Sequence, residues 1–115
     1  MTVTIWHNPN CATSRKVLGL IRASGVEPKI VDYVKSPPGV AAIKAVLKAM
    51  GMQPRDLLRR RGTPYDELGL GGETLSDAAL IEAMHANPIL IERPVVQSPK
   101  GTRLCRPPER VRDLL

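Results

Sequence analysis

A chain of 115 residues is one domain's worth of sequence, long enough to bury a core and too short for two. Its 43% apolar content is ordinary, but with no Phe, one Trp and two Tyr the interior is expected to be aliphatic. The net charge of +6 suggests a nucleic-acid partner, yet the basic residues gather in "RDLLRRRG" (55–62) and "ERPVVQSPKGTRLCRPPERVRDLL" (92–115), where no aromatic side chain offers a stacking platform, so none is expected.

The opening "MTVTIWHNP" has no basic start and no long apolar run, and no stretch approaches the roughly 18 apolar residues that span a membrane. A cytoplasmic location without membrane attachment is therefore expected. There the two cysteines, Cys11 and Cys105, point to chemistry or packing rather than a structural disulfide.

In chain order, "TVTIW" (2–6) reads as a strand that stops at Asn8-Pro9. From about Ala12 to Ser24, Val17, Leu18, Leu20 and Ile21 share one helical face, and Gly25 stands where a helix-terminating glycine belongs. "KIVDYV" (29–34) reads as a second strand, so the first forty residues form a β-α-β unit with parallel strands. After Pro37-Pro38, Val40, Ile43, Leu47 and Met50 recur at helical spacing and Gly51 closes the segment. Short helices are predicted at "PRDLLRR" (54–60) and "PYDEL" (64–68), and a longer one at "SDAALIEAMHA" (76–86), capped by Ser76 and ended by Asn87-Pro88, with His85 on its surface. "PVVQSPKGTRLC" (94–105) reads as a hairpin around Ser98-Pro99-Lys100-Gly101, followed by a helix from Pro107-Pro108 that carries Val111 and Leu114. The order is that of an α/β, thioredoxin- or glutaredoxin-like mixed sheet, a single domain over 1–115 with a helical insertion at about 37–87.

The run "HNPNCATSRKVLGLIRASG" (7–25) puts Cys11 between a turn and a helix N-terminus. Unpaired backbone N–H groups and the positive end of the helix dipole favour a negative group there, so Cys11 is a candidate thiolate. Arg15 adds positive charge on the same side, and Ser14 can donate a hydrogen bond to the sulfur. The same N–H groups would also cradle an anion beside it. The alternative is an unreactive small residue at a loop–helix junction. Because the spacing is C-x-x-S rather than C-x-x-C, no resolving thiol lies in the motif, and an outside thiol would have to complete any redox cycle. Arginine in preference to lysine suits fork-shaped recognition of a small oxyanion.

The run "HNPNCATSR", followed by "YDELGL", "ILIERPVV" and "GTRLCRP", closely resembles the glutaredoxin-coupled bacterial arsenate reductases, the ArsC family, and the match runs collinearly over almost the whole chain. The resemblance implies a thioredoxin-like fold and reduction of arsenate to arsenite. In that family's scheme the cysteine attacks arsenate, glutathione adds to the arsenic, and glutaredoxin releases the product. It implies Cys11 as the catalytic residue and Arg59, Arg93 and Arg106 as the oxyanion-holding arginines. Ser14 and Arg15 join them as substrate-binding residues on the reasoning above. His7 falls on the family's histidine that helps keep the thiol ionised; a strand-end histidine that only satisfies backbone groups is the competing reading.

The partners implied are arsenate, glutathione as co-substrate, and glutaredoxin, with no bound cofactor and a monomer expected. Tetrahedral arsenate carries one to two charges, for which several guanidinium forks are suitable ligands. Arg60 and Arg61, beside Arg59, read as a solvated face. Arg93 precedes Pro94 where thioredoxin-like folds place a cis-proline beside the thiol, although the sequence does not give the isomer. Arg103, two residues before Cys105, competes with Arg106 as the inward arginine. Cys105 is either a core residue or a resolving thiol. The two histidines and two cysteines lack zinc-ligand spacing, so no metal is expected. The chain stops at Leu115, before the longer tail of well-known members, but every matched motif precedes that point and the site is expected to be complete. Two alternatives stay open: a glutathione-dependent reductase of another substrate, and a non-enzymatic redox-sensing partner of the transcription machinery.

Overall fold

The computed structural model describes residues 1–115, and the chain divides into two compact units, Met1–Ser36 with Arg93–Leu115, and Pro37–Glu92. The first unit contains a four-stranded sheet in the order β2-β1-β3-β4. β1 (Thr4–His7) runs parallel to β2 (Lys29–Asp32), and the antiparallel hairpin of β3 (Val95–Ser98) and β4 (Gly101–Leu104) extends the sheet from the other side of β1. This is the mixed α/β sheet of a thioredoxin-like fold.

Helix α1 (Ala12–Ala23) connects β1 to β2 and buries Ser14, Val17 and Ile21. Its end is set by Gly25, whose φ of +89° is a conformation that other residues adopt only with strain. Val17 and Ile21 pack with Val3, Ile5, Val96, Cys105, Val111 and Leu114 in one continuous core. Apolar burial of this kind, at about 25 cal/mol per Å² removed from water, is the main force holding the sheet to its helix. The interior is not purely aliphatic, because Tyr33 and Trp6 are also buried.

The segment after the hairpin is a 3-10 helix, Pro108–Leu114, rather than the expected α-helix. Val111 and Leu114 are its buried residues, and a spacing of three aligns both side chains on one edge of a helix with three residues per turn. Cys105 is fully buried in the core, and burial pushes its thiol up to about 12, against the opposing charges of Arg103 and Arg110. It is a packing residue in this structure.

The second unit is helical: α2 (Val40–Met50), α3 (Pro54–Leu57) and α4 (Asp77–Ala86) bury Ile43, Val46, Leu47, Leu57, Leu80, Ile81 and Met84. Gly51 ends α2 at a φ of +65°, and the Ser76 hydroxyl caps α4 by accepting from the Ala79 N–H at 3.1 Å. The α3 helix is shorter than predicted. "PYDEL" (64–68) is a run of turns instead of a helix. Arg55 explains the turns, since its guanidinium donates to the Leu70 carbonyl at 2.9 Å and to the Gly72 carbonyl at 3.0 Å, pulling the loop back on itself. His85 is half-buried rather than on the surface, with Nδ1 2.9 Å from the Pro38 carbonyl. No helix is long and apolar enough to cross a membrane.

Candidate active site

The turn before α1 is built by Asn8. Its side-chain oxygen accepts the Asn10 N–H at 2.9 Å, and its carbonyl accepts the Cys11 N–H at 3.0 Å. An asparagine that bonds its own chain two residues on is the usual means of forming such a turn. Arg15 adds a staple by donating to the Pro9 carbonyl at 2.8 Å. Its side chain is exposed and committed to the loop.

Cys11 occupies the N-cap position of α1 with extended backbone (φ −101°, ψ 120°). No side-chain hydrogen bond of the ordinary capping kind closes this end of the helix. The sulfur nonetheless responds to what surrounds it. Burial pushes the Cys11 thiol up, but hydrogen bonding from the Ser14 backbone N–H, hydrogen bonding and charge from Arg93, and hydrogen bonding from Arg106 outweigh it and leave the thiol below its ordinary value. Arg93 and Arg106 both belong to the sheet unit. Arg106 also donates through Nη1 to the Arg93 carbonyl at 3.0 Å, tying the two arginine segments together. The Arg93-Pro94 and Arg106-Pro107 peptide bonds are both cis.

The competition between Arg103 and Arg106 is settled by exposure. Arg103 is exposed, with Nη1 3.8 Å from an Asp113 carboxylate oxygen, whereas Arg106 is half-buried and acts on the sulfur.

Ser14 reaches the thiol through its backbone, while its hydroxyl is engaged elsewhere. The side chain is 0% exposed. Oγ accepts the Asn8 N–H at 3.1 Å and lies 2.6 Å from His7 Nδ1. Burial pushes the His7 imidazole below its ordinary value, with Arg22 and Arg15 adding to that and the Asp32 carboxylate opposing it. Through this contact at Nδ1, His7 meets the thiol loop by way of Ser14.

Replacing Ser14 by alanine should therefore cost about 1–3 kcal/mol, because it strands a buried N–H and a buried ring nitrogen. It should hardly move the pH midpoint of Cys11 alkylation, since the backbone N–H remains. Urea unfolding and pH-dependent alkylation measure the two quantities, and a marked rise in the midpoint would assign the hydroxyl to the sulfur.

Arg59 belongs to the helical unit. It is half-buried, its Nη1 lies 2.8 Å from Glu92 Oε1 and its Nε donates to the Arg61 carbonyl at 3.0 Å. Arg60 and Arg61 are exposed. Asn8 and Glu92 are the residues that the sequence reading passed over. Asn8 was visible only as part of a turn, and Glu92 as the acid before Arg93. No group of three or more His, Cys, Asp or Glu side chains is arranged to hold a metal ion.

A thiol at a helix N-terminus, pulled toward ionisation by two arginines, on a mixed α/β sheet defines a class: proteins of thioredoxin-like fold with a cysteine before the first helix. The comparisons with known proteins make the class narrower. A model of the ArsC family matches residues 6–114, and the chain belongs to that family. It is 53% identical to an arsenate reductase of Rhizobium meliloti (strain 1021) over all of this chain and 82% of the relative. It is 48% identical to an arsenate reductase of Escherichia coli (strain K12), over 98% of this chain and 80% of that one. Among solved structures, an arsenate reductase from Vibrio cholerae superposes with a TM-score of 0.95 at 40% identity, covering 100% of this chain and 98% of that one.

Proposed function

We propose that this chain reduces arsenate to arsenite in the cytoplasm as a monomer, with Cys11 as nucleophile and glutathione and a glutaredoxin as reductant. The observation that carries the reading is the lowered Cys11 thiol, on which the Arg93 and Arg106 guanidinium groups act together. A thiolate attacks arsenic while guanidinium forks take up the charge of the oxygens, so nucleophile and electrophile are activated by the same groups. The arsenate reductases that share about half of this chain's residues support the substrate. Ser14 supports the thiolate through its backbone N–H, Arg15 holds the loop, and His7 holds Ser14. Arg59 completes the oxyanion ligands by its match to the family's pattern.

In the first step the thiolate forms a sulfur–arsenic bond and one arsenate oxygen leaves as water after protonation. Glutathione adds to the arsenic in the same way. Reduction of As(V) to As(III) takes two electrons: a glutaredoxin thiolate attacks the arsenic-bound glutathionyl sulfur, the sulfur–arsenic bond breaks with its electron pair left on arsenic, and a glutaredoxin–glutathione disulfide forms. Water then displaces Cys11 from As(III), releasing arsenite and returning the thiol. No bound cofactor is required, and Cys105 supplies no electron. Cys105→Ala should accordingly keep arsenite release within about twofold of the native chain, since a thiol held in its protonated form is a poor participant in exchange. A loss of turnover without a loss of folding would make Cys105 the resolving thiol.

The reading is tested by arsenite release from arsenate with glutathione, glutaredoxin and the glutathione-reducing system, against a parallel assay with thioredoxin and its reductase. Release with the first and not the second supports both substrate and reductant. Release with thioredoxin alone would overturn the reductant. No release with either, while Cys11 alkylates rapidly, would overturn the substrate.

A further inference from the structure

The ion pair between Arg59 and Glu92 is shielded, with the two side chains 18% and 20% exposed, against 49–72% for Lys16–Glu109, Arg22–Glu27, Arg60–Asp66 and Arg103–Asp113. The backbone delivers both partners. The Arg59 N–H donates to the Leu90 carbonyl at 2.7 Å, the Glu92 N–H donates to the Leu57 carbonyl at 2.8 Å, and Leu58 and Ile91 form an antiparallel bridge between these bonds. Two short segments are thus laced so that Arg59, opposite Leu90, and Glu92, opposite Leu57, stand diagonally across the Leu58–Ile91 rung, and their side chains meet.

Glu92 Oε1 binds one terminal nitrogen of Arg59 and the Arg61 carbonyl binds Nε. A guanidinium has five N–H donors, so two bonds fix the plane of the fork and leave the remaining donors for a further acceptor. A long arginine side chain otherwise loses its rotamer freedom when it meets a ligand, which weakens binding; held in advance, it has already lost it.

We infer that Glu92 is a positioning residue for Arg59, fixing its guanidinium in advance for an oxyanion ligand. The inference rests on the proposed oxyanion role of Arg59. Against preorganisation stands the carboxylate's own negative charge, which repels an oxyanion. The two effects have opposite signs, so removing the charge decides which prevails.

The test is the concentration of arsenate that half-protects Cys11 from alkylation, measured on the full chain carrying Cys105→Ala so that one thiol reacts. Binding is read without turnover. Four variants are compared: Glu92→Gln, Glu92→Asp, Arg59→Ala, and Arg59→Ala with Glu92→Gln. Glu92→Gln preserves shape and removes the charge; it should raise the half-protecting concentration about fivefold, with Arg59→Ala raising it about tenfold. Glu92→Asp, which restores a carboxylate, should recover part of the loss.

In the double variant, Glu92→Gln should add nothing to Arg59→Ala, whereas a carboxylate that only supports the fold would weaken binding in both backgrounds alike. Unchanged or tighter protection in Glu92→Gln, or an additive double variant, overturns the inference and leaves the functional reading intact. No effect of Arg59→Ala, with protection still abolished by Arg93→Ala, also overturns it and reduces the oxyanion ligands to two arginines. Absence of arsenate protection in the parent chain overturns the functional reading and the inference with it.

Discussion

Cys11→Ser should lower arsenite release by at least about a thousandfold while the protein stays folded. A hydroxyl has the shape of a thiol, but at neutral pH it is not ionised and is a far weaker nucleophile, so the sulfur–arsenic bond is not made. The usual ambiguity of such a result, loss of fold or loss of chemistry, is small at this position. Cys11 is the N-cap of α1, and serine is among the most favourable N-cap residues. Urea unfolding should show the variant at least as stable as the native chain. Turnover surviving in this variant would remove Cys11 from the reaction.

The second large effect is expected at Arg93. Arg93→Ala should lower kcat/KM by about 10²–10³-fold, the range found when one preorganised donor to a developing charge is removed. Two consequences follow from one side chain. Arg93 acts on the sulfur by both hydrogen bonding and charge, so its loss raises the Cys11 thiol toward its ordinary value and leaves less thiolate at neutral pH. It also removes a fork from the oxyanion. Arg93→Lys should recover only part of the activity, because a point charge restores the electrostatic pull without the two-pronged bond. Arg106→Ala acts on the sulfur through hydrogen bonding and releases its bond to the Arg93 carbonyl; its effect on the alkylation midpoint should be the smaller of the two. Kinetics over an arsenate series together with alkylation over a pH series separate the two roles. A full recovery by lysine would reduce Arg93 to a charge.

The β-α-β unit was legible because each signal was local: alternation in "TVTIW", the apolar face of α1, and a glycine whose positive φ ends the helix. The hairpin was legible for the same reason, from its turn residues. What the sequence did not show depends on contacts between distant residues. "PYDEL" carries a helix-like proline start, but Arg55 reaches Leu70 and Gly72 fifteen and seventeen residues away and holds the loop in turns. The final segment carried apolar residues at a spacing of three, which suits a 3-10 helix as well as an α-helix, and packing of Val111 and Leu114 favours the tighter one.

At the site, Cys11 was visible from its place before a helix. The direction of the Ser14 hydroxyl was not, because the sequence offers the sulfur, the Asn8 N–H and His7 as equal candidates and only the fold orders them. Arg103 and Arg106 stand on either side of Cys105, and strand alternation alone left both open until exposure and the bond to the Arg93 carbonyl separated them. Glu92 escaped notice because a single acid beside an arginine has no motif; its meaning comes from the bridge that brings Leu58 and Ile91 together.

The most direct measurement is the rate of Cys11 alkylation against pH in the Cys105→Ala chain, with and without arsenate. The sign follows from the lowered thiol: reactivity falls as the pH drops through the folded value, which is depressed below the ordinary thiol range. A midpoint below that range, with alkylation suppressed by arsenate at neutral pH, is the expected result. A midpoint at or above the ordinary thiol value, with no protection by arsenate, would contradict an ionised Cys11 that faces an oxyanion.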